Sequence, residues 1–308
     1  MKMMLIALSG ATGFIGQYLL RVLQKRGHRV RVLLRRPSAA MPSLVTSAVI
    51  GDLRHPQNLA TALEGVHTVI HSAGVAHAAS GLPEDDYRTI NTAATAALAR
   101  AAERSGVSRF VFLSSIRAQC GPVAETVMTE TVEPRPTDAY GKSKLAAERS
   151  LAELNLDWVA LRPVLVYGPG VKANMAQLMR LAQSPFPLPL GSITAQRSLL
   201  SLENLGSAIE TVLATSQTLR RAYIVADREA LTVGQMIAAM RQELGRRPNV
   251  FPFPAPLLNA LCRAAGQSEA YGRVSGSLVA DPSALMSLGW RPAVETASGL
   301  RMLMRQTG

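Results

Sequence analysis

Gly10, Gly13 and Gly16 follow directly on an apolar run at residues 5–8 and open a stretch of helical periodicity at 13–26. This spacing limits what the chain can fold into more than any other feature. The first glycine lets the backbone leave a buried strand in a tight turn. The second lets it approach a pyrophosphate, and the third lets the next helix pack against the strand. The helix N-terminus adds unpaired N–H groups and the positive end of a dipole. The spacing therefore predicts a strand–turn–helix unit that binds a dinucleotide through Gly10, Thr12, Gly13, Phe14, Ile15 and Gly16.

The rest of the first half repeats the alternation. Strands are expected at Arg29–Leu34, 48–50, Thr68–His71, Arg109–Leu113 and 158–162, with helices over Leu59–Leu63, 87–106 and 139–155. Strands alternating with helices predict βαβ units and a parallel sheet. Right-handed crossovers then put the ligand crevice at the carboxyl ends of the strands. The expected fold is α/β, a doubly wound parallel sheet (Rossmann) with a smaller C-terminal substrate-binding lobe. After Gly170 the rhythm changes. Pro185, Pro187 and Pro189 exclude a helix there, 222–226 reads as one more strand of the sheet, and 248–256 is a proline-rich linker. The expected division is 1–170, with a return segment 198–228, for the dinucleotide, and 171–197 with 229–308 for the substrate. The apolar segment 254–262 is expected to pack inside that lobe rather than lie on a membrane surface.

Composition excludes several classes. With 48% hydrophobic and 18% charged residues the chain is globular. Its apolar stretches fall short of the ~18 residues of a membrane span. The net charge of +12 comes mainly from arginines spread along the chain, with no block of like charge and no nucleic-acid-binding signature. No nucleic-acid partner is therefore expected. Cys120 and Cys262 have neither metal-ligand nor disulfide spacing, so no metal site is expected. The N-terminal apolar run continues into the glycine turn without a cleavage site. A reducing cytoplasm is the expected compartment.

Tyr140 and Lys144 stand four residues apart and so share a helix face. A phenol titrates near ~10, and an adjacent ammonium lowers that value. The pair suits proton transfer at an alcohol or ketone. Ser114 and Ser115 end the strand before it, where Ser114 is a candidate for the cofactor and the Ser115 hydroxyl can hold a substrate oxygen. Arg35 and Arg36 follow the second strand where an acid would hold the ribose of NAD, so NADP(H) is favoured and NAD(H) is the alternative. Two solvated arginines are the simpler account of the same residues. Asp52, followed by Leu53, can accept a hydrogen bond from adenine. Ser72, Ala73 and Gly74 are small enough for a cofactor to lie against their backbone. His71 is given no catalytic part.

Taken together these residues resemble the extended short-chain dehydrogenase/reductases, the nucleotide-sugar epimerase/dehydratase superfamily. The resemblance also covers Asn91, the segment 161–170 and the segment 288–292. It implies that Tyr140 moves the proton at the sugar C4 oxygen, Ser115 orients that oxygen, and Lys144 bonds the nicotinamide ribose. Asn91 would brace the site, Pro163 would sit by the nicotinamide, and a homodimer would form through 87–106 and 139–155. Segments 170–175, 187–191, 197–201 and 276–281 are similar to bacterial reductases that act at C4 of UDP-4-keto-6-deoxy-N-acetylglucosamine in O-antigen synthesis. Lys172, Asn174, Arg197 and Arg273 are the candidates for a UDP-sugar. The alternative is a UDP-glucose or UDP-N-acetylglucosamine 4-epimerase with tightly held NAD. Leu165 departs from the epimerases, which carry Asn there.

Overall fold

β1 (Leu5–Ser9), α1 (Phe14–Lys25) and β2 (Arg29–Leu34) form the first βαβ unit, with β1 and β2 parallel from Leu5↔Arg29 to Ser9↔Leu33. In this computed structural model, residues 3–37, 45–75 and 82–306 are described, and the side chains of Glu269, Ala270 and Arg273 lie outside that description. The chain continues through β3 (Val45–Val49), α2 (Leu59–Leu63) and β4 (Thr68–His71). Then come α3 (Glu84–Tyr87), a π-helical turn (Arg88–Ala93), α4 (Ala94–Arg104) and β5 (Arg109–Leu113). A short 3-10 turn (Ile116–Ala118) leads to α5 (Ala139–Ala152) and β6 (Trp158–Pro163).

The second half begins with β7 (Leu165–Tyr167), α6 (Ala173–Gln183), β8 (Gln196–Ser201) and α7 (Leu202–Ala214). It continues with β9 (Arg221–Val225), β10 (Ala230–Thr232) and α8 (Val233–Glu243). Four helices close the chain: α9 (Ala255–Ala264), α10 (Ser268–Ser275), α11 (Ser283–Met286) and α12 (Thr296–Arg305).

Seven strands make one parallel sheet in the order β3-β2-β1-β4-β5-β6-β9. Its central strands are apolar along their whole length because helices cover both faces. α1 and α7 lie on one face through Leu19, Leu23, Leu205 and Ile209. α2, α4 and α5 lie on the other through Leu63, Leu98, Ala102 and Leu151. The strand order reverses between β1 and β4, and there the crevice opens.

A second, three-stranded sheet of order β10-β8-β7 packs with α6, α8 and α12 around Tyr167, Met236, Ile237 and Leu300. Its strands join distant segments, so β8 belongs here and only β9, parallel to β6, returns to the large sheet. Asp227 ties the two parts together by accepting from Asn204, Tyr167 and the Ser201 backbone. Burial pushes its carboxyl up to about 6.

The helix expected over 87–106 is interrupted by the π-turn at Arg88–Ala93. In α4 and the turn before it, Ala94, Ala96, Ala99, Ala101 and Ala102 are buried within the chain, whereas Ala93 is exposed and Ala97 half-buried. In α9 Leu258 is buried, while Leu257 and Leu261 are 56% and 58% exposed. Among the described residues no helix is long and apolar enough to cross a membrane.

Candidate active site

The loops after β1 and β4 meet at the crevice. Gly10 has φ of 73°, and a Cβ there would lie 2.6 Å from the Ala73 nitrogen. A Cβ on Gly16 would lie 1.9 Å from the Gly10 oxygen. Both positions therefore need glycine, one for conformation and space, the other for space. Gly13 starts α1 and no side chain caps the helix. Its first N–H groups thus meet the crevice without a side-chain acceptor, which fits a bound phosphate.

At the end of β2, Arg35 Nη2 lies 2.9 Å from Asp52 Oδ2. Asp52 Oδ1 accepts the Arg54 backbone N–H at 2.9 Å. That bond, with the Arg35 and Arg54 guanidiniums, holds the carboxyl below its ordinary range. The two residues singled out for different parts of a nucleotide are therefore engaged with each other. Arg36 is exposed. Leu53 packs at the edge of the core beneath α2 and α4.

His71 is fully buried between Ser9 Oγ at 2.6 Å and Thr95 Oγ1 at 2.9 Å. Burial, aided by Lys144, lowers its pKa to about 3, so it stays neutral and joins strand to helix. Asn91, in the π-turn, accepts from the Val75 nitrogen at 2.8 Å and donates to the Val75 oxygen and Ser143 Oγ, each at 3.0 Å. It thereby clamps the loop beyond Gly74 to α5.

α5 starts at Asp138, whose Oδ1 accepts the Gly141 N–H at 2.7 Å. This cap places Tyr140 in the first turn and Lys144 one turn later. Ser115 lies beside the Tyr140 phenol. Burial raises the phenol pKa, Ser115 and Arg117 oppose that rise, and Asp138 and Tyr87 add to it. Lys144 Nζ donates to the Leu113 oxygen at 2.8 Å and sits 4.6 Å above the Phe112 ring. Burial brings Lys144 down to about 8. The ammonium lies 3.5 Å from where a Gly74 Cβ would stand, so the missing side chain keeps that side of the crevice clear. Pro163 closes β6 nearby in sequence to the buried Arg162.

Ser114, expected on the cofactor, gives its hydroxyl to Glu148. Glu148 is buried with Arg162, whose Nε lies 3.0 Å and 3.2 Å from its two carboxylate oxygens. Arg162 also bonds Gln119. Tyr140, Lys144 and Glu148 thus occupy successive turns of one helix face. The sequence reading missed Glu148, although its four-residue step from Lys144 signals it.

Of the substrate candidates, Arg197 on β8 is half-buried and donates to the Pro122 oxygen at 3.2 Å. Lys172 and Asn174 are exposed at the start of α6. No bond among the described residues joins either of them to the Ser115–Tyr140 pair. The Arg273 side chain lies outside the described residues. Arg117, not singled out from the sequence, bonds Asp138 and stands beside Tyr140. Among the described residues no three His, Cys, Asp or Glu gather as a metal site. A surface cavity of about 390 Å³ lies at the amino ends of β1, β2 and β4, by Leu5, Arg29 and His67, and lacks a catalytic set.

The sequence profile of the NAD dependent epimerase/dehydratase family matches residues 6–226. The UDP-glucose 4-epimerase of Vibrio cholerae is 33% identical over 307 residues, covering 96% of this chain and 93% of that relative. MoeE5, solved in complex with UDP-glucose and NAD, is 28% identical with a TM-score of 0.76 over 98% of each chain. The UDP-glucose 4-epimerase of Thermus thermophilus, solved with NAD, is 25% identical with a TM-score of 0.74 over 98% of each chain. The glycine turn, the switch point beside it and these whole-length likenesses agree: the chain belongs to the NAD dependent epimerase/dehydratase family.

Proposed function

We propose that the protein oxidises and re-reduces a UDP-hexose at C4, acting as a 4-epimerase with NAD(H). One observation carries this: Ser115, at the carboxyl end of β5, lies close enough to the Tyr140 phenol to act on it, beside the crevice that Gly10, Gly16 and Gly74 keep open. Bound NAD supplies a hydride acceptor and donor. Ser115 holds the reacting oxygen, and Tyr140 takes its proton in one direction and returns it in the other. Lys144, fixed on the Leu113 carbonyl, presents a cation to the nicotinamide side of the site. Arg197, half-buried without a carboxylate partner among the described residues, suits the diphosphate.

The substrate class rests on the relatives, a UDP-glucose 4-epimerase and a protein solved with UDP-glucose and, separately, UDP-glucuronic acid. For the cofactor, Arg35 is held by Asp52, which leaves Arg36 to meet a ribose phosphate. NAD(H) therefore fits better than the NADP(H) favoured from the sequence. A 4-keto-sugar reductase is the second reading, and the exposed Leu165 in place of an amide favours it. A homodimer through the outer faces of α4 and α5 belongs to the same proposal. Heat-denatured protein should release a nicotinamide nucleotide identified by mass as NAD. Release of NADP, or of no nucleotide, would count against a resident NAD.

A further inference from the structure

The segments 171–192 and 244–268 contain no Asp or Glu. They carry Lys172, Arg180, Arg246, Arg247 and Arg263, all exposed. The buried Arg241 ties the two segments together, donating to the Phe186, Pro248 and Asn249 carbonyls at 2.8 Å, 2.8 Å and 3.3 Å. Backbone bonds from Leu188 to Asn249 and from Phe251 to Leu188 join them further. Arg241, Arg246 and Arg247 line a surface hollow of about 370 Å³ together with Ser184, Pro185 and Asn249, and none of these lining residues is acidic. Glu243, the acid that borders the run, is bonded to Arg305.

Apolar side chains stand out of the same segments. Phe186 is 71% exposed, and Leu181 and Phe251 are exposed as well. From Arg246 to Ser268 only Leu258 is buried. In α9, Leu257, Ala260, Leu261 and Ala264 recur at three- and four-residue steps and form one exposed stripe, with Arg263 exposed beside it. Leu258, buried, and Cys262, half-buried, turn the other face inward. Contiguous apolar surface of this kind marks an interaction site. A second copy would cover the leucines but bring two sets of arginines together without acids, and like charges so placed repel. A nucleic acid would meet the arginines and leave Phe186 and the leucines in water. A bilayer with anionic headgroups meets both.

We propose that α9 and the turn from Arg246 to Phe251 dock the protein on the surface of an anionic phospholipid membrane. The stripe of α9 lies in the plane of the headgroups, with Leu257 and Leu261 in the acyl boundary. Arg246, Arg247 and Arg263 meet headgroup phosphates, which suit the guanidinium fork. The contact is peripheral. It uses none of the crevice residues, so it holds whichever sugar is turned over.

The test is cosedimentation of the whole protein with vesicles of phosphatidylglycerol and phosphatidylcholine in equal parts, and with vesicles of phosphatidylcholine alone. The protein should sediment with the mixed vesicles and stay in solution with the neutral ones, and added salt should release part of it. Each arginine near an anionic surface is worth about fivefold in affinity, so Arg246→Ser/Arg247→Ser should weaken binding by about 25-fold. Leu257→Ser/Leu261→Ser should weaken it by about tenfold or more, since both leucines lose their apolar contact. Both variants should keep the urea midpoint of the wild type, because the altered side chains are exposed. No sedimentation of the wild type with mixed vesicles overturns the inference. So does binding that the leucine substitutions leave unchanged, which would place the contact elsewhere. A wild-type dimer that the leucine substitutions dissolve, without vesicle binding, makes the stripe a contact between copies and overturns it as well.

Discussion

Replacing Tyr140 by Phe is expected to lower turnover of a UDP-hexose by about 10²–10⁴-fold, the range for a positioned acid–base group. The substitution deletes a hydroxyl and leaves the ring, which stacks edge-on against Tyr87 at 6.4 Å between centroids. The glycine turn and Lys144 are untouched, so NAD affinity should stay within about threefold, under 1 kcal/mol. The phenol is protonated at neutral pH because burial raises its pKa. It is therefore ready to donate to a ketone, and the oxidising direction needs it ionised. Steady-state kinetics with parallel titration of NAD fluorescence quenching checks both halves. Near-normal turnover would remove Tyr140 from the chemistry.

The second large effect is on stability. Glu148 and Arg162 are 4% and 5% exposed, and their ion pair links α5 to β6, with Ser114 and Gln119 bonded to it. Removing one partner strands the other charge in the interior, which costs about 3–5 kcal/mol. Arg162→Met and Glu148→Gln should each lower the urea midpoint at an unchanged slope. The double variant Glu148→Leu/Arg162→Met should recover much of that loss, because a well-packed apolar pair replaces both charges. Single variants within about 0.5 kcal/mol of wild type, typical of exposed sites, would mean that water reaches the pair.

The parts legible in the sequence were those set by local spacing. Three glycines after an apolar run located β1, the turn and α1, and unbroken apolar stretches located β4, β5 and β6. Ser115, Tyr140 and Lys144 were legible as a set because two share a helix face and the third ends a central strand. Less was legible where distant contacts decide. β7 and β10 are three residues long, and each pairs only with the remote β8. β3 lies at the sheet edge with Thr46 and Ser47 exposed, so no apolar run marks its first half. The π-turn around Asn91 leaves a helical pattern intact in the sequence while it turns the Asn91 side chain toward Val75 and Ser143. The direction of Lys144 was hidden for a similar reason. A four-residue step places it beside Tyr140 on the helix, but the Leu113 carbonyl on β5 decides where its ammonium points.

Incubating the purified protein with UDP-glucose and no added nucleotide, with the sugar nucleotides followed by proton NMR, addresses the C4 chemistry most directly. The expected result is a mixture of UDP-glucose and its C4 epimer, reached from either side, with no net change in nicotinamide oxidation state. No epimer from UDP-glucose or UDP-glucuronic acid, together with stoichiometric oxidation of added NADH by a UDP-4-keto sugar, would contradict it and make the protein a reductase.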